Sequence, residues 1–101
     1  MKKPRVSIIV IDYKENNPYL VECLESIKKQ SYQNYEIILV TDYKNSLQYP
    51  KLRKKYFGHY VGPAEKRDVG AKMAKGDILA FLDDDAFPSQ NWLKNMVKNF
   101  K

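Results

Sequence analysis

A chain of 101 residues, 44% apolar and 30% charged, reads as one small soluble domain with enough apolar side chains for a core, and disorder is excluded. A single cysteine, Cys23, excludes an intrachain disulfide, and no apolar run approaches the roughly 20 residues of a membrane helix. The net charge of +6 suits a nucleic acid, an acidic membrane surface or a solvated lysine-rich surface, of which the last asks least of the chain.

Residues 1–5 are basic, but the apolar run after them covers only residues 6–11. That is shorter than a signal-peptide core of roughly 7–15 residues, so a cytoplasmic location is expected, with the cytoplasmic membrane face as the alternative. Residues 6–11 are β-branched and nearly continuous, the pattern of a strand buried on both faces. Asn17 then offers a cap and Pro18 a first turn, and Leu20, Cys23, Leu24 and Ile27 fall on one helical face. Residues 36–41 form a second apolar strand, and residues 42–50 a polar loop. Residues 51–55 read as a short basic helix, and residues 57–61 as a weak third strand containing Gly58. After the break at Gly62 and Pro63, residues 64–75 predict a helix with Val69 and Met73 inward, ended by Gly76. Residues 77–82 predict a strong, buried fourth strand. Ser89 offers a cap to a last helix facing inward through Trp92 or Leu93, Met96, Val97 and Phe100. Strand–helix alternation implies an α/β fold with an open, mostly parallel four-stranded sheet flanked by helices, as a single domain over residues 1–101.

Acidic residues follow three of these strands: Asp12, Asp42, and the run Asp83, Asp84 and Asp85. In an open parallel sheet, ligands bind beyond the carboxyl ends of the strands. If the three strands are neighbours, five carboxylates converge there. Two like charges roughly 4 Å apart repel by about 4 kcal/mol at an effective dielectric near 20. The cluster therefore asks for a proton, divergent side chains or a hard cation such as Mg²⁺ or Mn²⁺. An EF-hand loop is excluded, because its sixth position counted from Asp83 is Pro88 and not glycine. No phosphate-cradling glycine loop occurs, and His59, the lone histidine, lies in a weak strand and reads as structural. Cys23 reads as core.

Residues 67–85, which run from Arg67 through Gly70, Gly76 and Phe81 to the Asp83–Asp85 triplet, resemble the core of family-2 glycosyltransferases. Residues 6–13 resemble the first strand of that family, and residues 24–42, with Ser26, Gln30, Tyr32 and Glu36, resemble its second segment. The pieces run in the family's order from about residue 5 to residue 98. Ile11, Asp12, Lys14, Thr41 and Asp68 stand where the family usually carries Pro, Thr, Asn, Asp and Asn.

The resemblance implies an inverting enzyme of the Rossmann-like GT-A fold, with this chain as its N-terminal, donor-binding half. It implies that the donor is a nucleotide-diphosphate sugar, most often a UDP-sugar. Tyr13 would lie against the base, Asp42 would accept a hydrogen bond from it, and Asp12 would line it through backbone. Asp85 would bind Mn²⁺ or Mg²⁺, with Asp83 on the ribose or the metal's water shell and Asp84 completing the nucleotide set. Arg67 would order the diphosphate. The family's general base lies beyond the Asp-x-Asp motif, and no acid occurs in residues 86–101. The chain alone is therefore expected not to transfer sugar to its acceptor, a glycan, lipid or protein. A half-domain would also expose sheet edge and apolar surface, which favours self-association. The alternative is a non-catalytic module that binds a nucleotide or nucleotide sugar. A nucleic-acid partner is set aside: Lys51, Arg53, Lys54 and Lys55 sit in one stretch with only Tyr56 and Phe57 beside them.

Overall fold

Two strands are buried at every position, β1 (Val6–Asp12) and β2 (Tyr35–Thr41). Both are interior to a sheet covered on each face, so apolar residues face both ways and alternation is lost. In the computed structural model, which describes residues 3–100, they pair in parallel from Val6 with Tyr35 to Asp12 with Thr41. The edges are β3 (Leu52–Tyr56), parallel to β2, and β4 (Ile78–Asp83), parallel to β1. The order is β3-β2-β1-β4, so the expected fold class is the observed one. Met1, Lys2 and Lys101, part of the expected 1–101 domain, lie outside the described residues. No helix among the described residues is long and apolar enough to cross a membrane.

Helices α1 (Pro18–Lys28) and α3 (Trp92–Asn99) cover one face. There Leu20, Cys23, Leu24, Ile27 and Leu93 pack with Ile8 and Val10 of β1, Ile37 and Leu39 of β2, and Ala80 of β4. The sequence pattern predicted that α1 face, and it predicted the cap: Asn17 Oδ1 accepts from Tyr19 N–H at 3.0 Å. Helix α2 (Pro63–Met73) covers Ile9, Ile11, Ile38 and Val40 on the other face. It comes close because Gly70 has no side chain; a Cβ there would lie 2.5 Å from Ile9 Cγ2.

The basic stretch at residues 51–55 is not a helix but most of β3. An edge strand leaves its side chains in water, where Lys and Arg serve better than apolar residues. These cations also find local acceptors. Arg53 donates to Glu36 at 2.7 Å and to the Met73 carbonyl at 2.6 Å, and Lys54 donates to the Leu47 carbonyl at 2.7 Å. Residues 57–61 are correspondingly not a strand. Gly58 turns the chain at φ +81°, and the Phe57 and Gly58 N–H groups bond to the Thr41 and Asp42 carbonyls.

Helix α2 stops at Met73, before the expected end, and its fully buried residues are Lys66 and Gly70, while Val69 and Met73 are half-buried. Gly76 serves another purpose than ending the helix. A Cβ there would meet Ser7 Oγ at 2.5 Å and the backbone of Arg5 and Ser7 at 2.8 Å. Helix α3 begins with Asn91 as its N-cap and no side-chain cap bond; Ser89 contributes only its carbonyl, to Trp92 N–H at 3.0 Å. Phe100 is exposed instead of inward. Strand β4 is a half-covered edge and not a buried strand: Ile78 and Ala80 face the core, while Leu79 and Phe81 are 43% and 46% exposed.

Candidate functional site

Strands β2 and β3 lie to one side of β1, and the chain crosses back through α2 to place β4 on the other. Such a reversal of strand order opens a crevice at the carboxyl ends of the two strands that flank it. Two pockets lie there, one on each face of the sheet.

The pocket on the α2 side has a volume of about 360 Å³. Its walls include Tyr13 beyond β1, Tyr60 of the loop after β3, Lys66 and Arg67 of α2, and Asp83, Asp84 and Asp85 at the end of β4. Five of the seven residues singled out in sequence thus share one cavity. Tyr13 is 54% and Tyr60 71% exposed, so both rings are free to stack on a ligand. The Asp83 carboxylate faces water and lies 3.6 Å from the Arg67 guanidinium, an exposed pair. Asp85 is exposed as well.

The other two residues sit elsewhere. Asp12 is buried and lines the pocket of about 240 Å³ on the α1 side, with Lys14, Asn17, Tyr43 and Lys44. Asn17 ties the two sides together: its Nδ2 donates to Asp12 Oδ1 and to Asp84 Oδ2, each at 3.0 Å. Burial first, then the adjacent Asp12 and the charge of Asp85, push the Asp84 carboxyl up to about 7, against the pull of Lys14. Burial also pushes the nearby Cys23 thiol up to about 12, helped by Asp84 and Asp85, so it is an inert core residue. Asp42 lines neither pocket. It is buried beneath the first, where its Oδ1 accepts Val61 N–H at 3.0 Å and meets Lys66 Nζ at 2.9 Å. The five carboxylates therefore do not converge as one cluster. Asp42 is neutralised by a lysine, Asp12 and Asp84 share an amide, and Asp83 and Asp85 alone stand in solvent.

No three His, Cys, Asp or Glu side chains among the described residues are disposed to hold a metal. Mg²⁺ and Mn²⁺ do not require such a cage when a ligand brings oxygens of its own. One or two carboxylates, waters and phosphate oxygens complete the shell. Asp83 and Asp85 are hard donors with open sides, and they fit a cation of that kind.

Lys66, Tyr60 and the bridging role of Asn17 escaped the sequence reading. For Lys66 a signal existed. It lies four residues before Gly70 and seven before Met73, on the helical face expected to be inward. Tyr60 is carried by an irregular loop, and nothing local marks it.

Residues 7–101 match the family model described as Glycosyl transferase family 2. Glycosyltransferase GlyG of Streptococcus pneumoniae is 32% identical over 103 residues, which cover 92% of this chain and 34% of that protein. The uncharacterized glycosyltransferase YwdF of Bacillus subtilis is 33% identical over 108 residues, covering 96% and 38%. Among solved structures, the mannosyltransferase PcManGT of Pyrobaculum calidifontis, in complex with GDP-Man and Mn²⁺, is similar with a TM-score of 0.82 at 27% identity, covering 96% of this chain and 32% of that one. Residues 1–349 of Staphylococcus aureus TarS, in complex with UDP-GlcNAc, give a TM-score of 0.80 at 25% identity, covering 93% and 30%. The chain spans about a third of the length of these relatives. With the match running from the first strand through the last helix, the chain belongs to glycosyl transferase family 2.

Proposed function

We propose that this chain binds the donor of an inverting sugar transfer, a nucleotide-diphosphate sugar, and that the donor is a UDP-sugar. The observation that carries the reading is the α2-side pocket. Exposed aromatic rings line it together with the Asp83–Asp85 run, at the carboxyl ends of β1 and β4. A nucleotide sugar has a planar base that stacks on aromatic rings and a diphosphate that cannot approach carboxylates unaided. Tyr13 holds the base and Asp42 marks its hydrogen-bonding edge. Asp12 acts through its backbone, Asp83 serves the ribose or the metal's water shell, and Asp84 completes the nucleotide set. Arg67, with its guanidinium at the mouth of the pocket, orders the diphosphate. Asp85, with Asp83 beside it, would hold Mn²⁺ or Mg²⁺, and that cation when bound supplies charge to the leaving diphosphate. The complexes of PcManGT with GDP-Man and Mn²⁺ and of TarS with UDP-GlcNAc support the reading. The acceptor is a hydroxyl of a glycan, lipid or protein, and transfer inverts the sugar carbon.

Calorimetric titration of the chain with UDP, with and without Mn²⁺, tests the assignment. Binding should require the metal, and Asp85→Ala should weaken it by about tenfold or more, since even residues that only orient a metal's ligands are worth about 10–100-fold. Equal affinity in the two proteins would remove Asp85 as the metal's ligand.

A further inference from the structure

Asn17 is buried where α1, β1 and β4 meet, and its side chain is fully used. Its Oδ1 accepts Tyr19 N–H and caps α1. Its Nδ2 gives one hydrogen to Asp12 Oδ1 and the other to Asp84 Oδ2, each at 3.0 Å. The amide has one orientation: turned over, it would set Oδ1 against two carboxylates and Nδ2 against an N–H. As a helix cap alone, Asn17 would be interchangeable with Ser or Asp. Serine carries one donor where two are used, and Asp would bring a third carboxylate to a pair that already repels. Capping therefore leaves the choice of asparagine unexplained, and the bridge explains it.

The Asp83–Asp85 run leaves β4 in a tight turn, closed by Ala86 N–H on the Asp83 carbonyl at 3.1 Å. Asp84, the middle carboxylate, is drawn inward to Asn17, while Asp83 and Asp85 on either side of it are exposed. We propose that Asn17 is a positioning residue for this run: by tying the middle carboxylate to Asp12, it turns Asp83 and Asp85 into the α2-side pocket, where a divalent cation and a diphosphate meet them. The inference rests on the donor reading above. Without Nδ2, Asp12 and Asp84 face each other with no donor between them. Asp12 is buried and Asp84 only half-buried, so Asp84 is the one that swings to water. The turn then rotates, and the two outer carboxylates lose their common aim. A residue that orients a metal's ligands contributes affinity without touching the metal.

The test titrates premixed Mn²⁺ and UDP into wild type, Asn17→Ser and Ile27→Val by calorimetry, with thermal unfolding of each followed by circular dichroism. Asn17→Ser keeps a capping oxygen and removes the bridge. Ile27→Val loosens the buried, opposite end of the same helix and leaves the bridge in place. Asn17→Ser should weaken binding by about tenfold or more. Ile27→Val should unfold at a lower temperature yet bind within about twofold of wild type. Where Asn17→Ser does not fold, Asp12→Ala with Asn17→Ser removes the buried charge as well. That double variant should bind about tenfold or more weakly than Asp12→Ala alone. A folded Asn17→Ser that binds like wild type, or a double variant that binds like Asp12→Ala, overturns the proposal. So does Ile27→Val with a loss equal to that of Asn17→Ser, since fragility of α1 would then be the cause. Wild type that does not bind Mn²⁺ and UDP overturns the donor reading itself, and the proposal with it.

Discussion

Glu36, at the amino end of β2, is nearly buried and carries its charge far from the pocket. Burial works to raise its carboxyl, but the Ser7 hydroxyl at 2.6 Å, the Lys75 N–H at 2.6 Å and Arg53 at 2.7 Å outweigh it and lower the group from 4.5 to about 2. A carboxylate held down in the folded state adds stability that is present above its ordinary value. That stability is lost as pH falls through the folded value. The window here is from about 4.5 down to about 2, and the contribution at neutral pH is about 3 kcal/mol. Glu36→Gln should therefore lower the unfolding free energy at neutral pH by about 3 kcal/mol and flatten its fall between about pH 5 and pH 3. Urea unfolding followed by circular dichroism across that range checks both. An unaltered acid limb in the variant would show that Glu36 is not the group being titrated. The charge was visible in sequence, but its partners come from β1, β3 and the turn after α2, so its role was not.

Secondary structure is set here by how closely elements can approach. The turn from α2 into β4 passes against the Ser7 backbone, and Gly76 N–H donates to Ser7 Oγ at 2.8 Å. Gly76→Ala would place a methyl group 2.8 Å from backbone atoms that have no freedom to move. The expected cost is about 1–3 kcal/mol or somewhat more, the range of an overpacked core. The same substitution should weaken UDP binding, because β4 carries Asp83 and the two residues after it. Thermal unfolding and calorimetry read the two effects. Strand β4 permits a second comparison, since its two faces differ. Leu79→Ser or Phe81→Ser, on the open face, should change stability by about 0.5 kcal/mol or little more. Ile78→Ala, on the face against α1 and α3, should cost about 2–4 kcal/mol. Similar losses at Leu79 and Ile78 in urea titrations would contradict the half-covered edge.

The molecule as a whole separates its charges by the direction of its strands. Amino ends gather Glu36 with Arg5 and Arg53, while carboxyl ends present Asp12, Asp42 and the Asp83 run. Parallel strands make this possible, because every carboxyl end points the same way. A ligand seated there touches β1, α2 and β4 at once and cannot bind the unfolded chain. At a ligand concentration of about 100 times Kd, such binding adds about 2.7 kcal/mol. For a domain of this size that corresponds to a rise in Tm of roughly 10–20 °C. Mn²⁺ and UDP together should produce the rise, and UDP alone should produce little of it. A scan that shows the same shift with UDP alone would mean that the carboxylates need no cation to admit the diphosphate.

Periodicity and strand-end chemistry were written into the linear chain. The continuous apolar runs at residues 6–11 and 36–41 needed two covered faces, the α1 stripe needed one, and acids after the strands marked the end where both pockets open. Those features depend on neighbours a few residues apart. Residues 51–55 were misplaced because Lys and Arg tolerate a helix and an exposed edge equally, and only pairing with β2 decides between them. The acids were legible as a group but not in their separate states. Asp42 met Lys66, Asp12 met Asp84 through Asn17, and Asp83 and Asp85 were left to solvent by contacts between elements far apart in sequence. A carboxylate's charge is a property of its residue, whereas its partner, its burial and its accessibility are set only when the sheet closes.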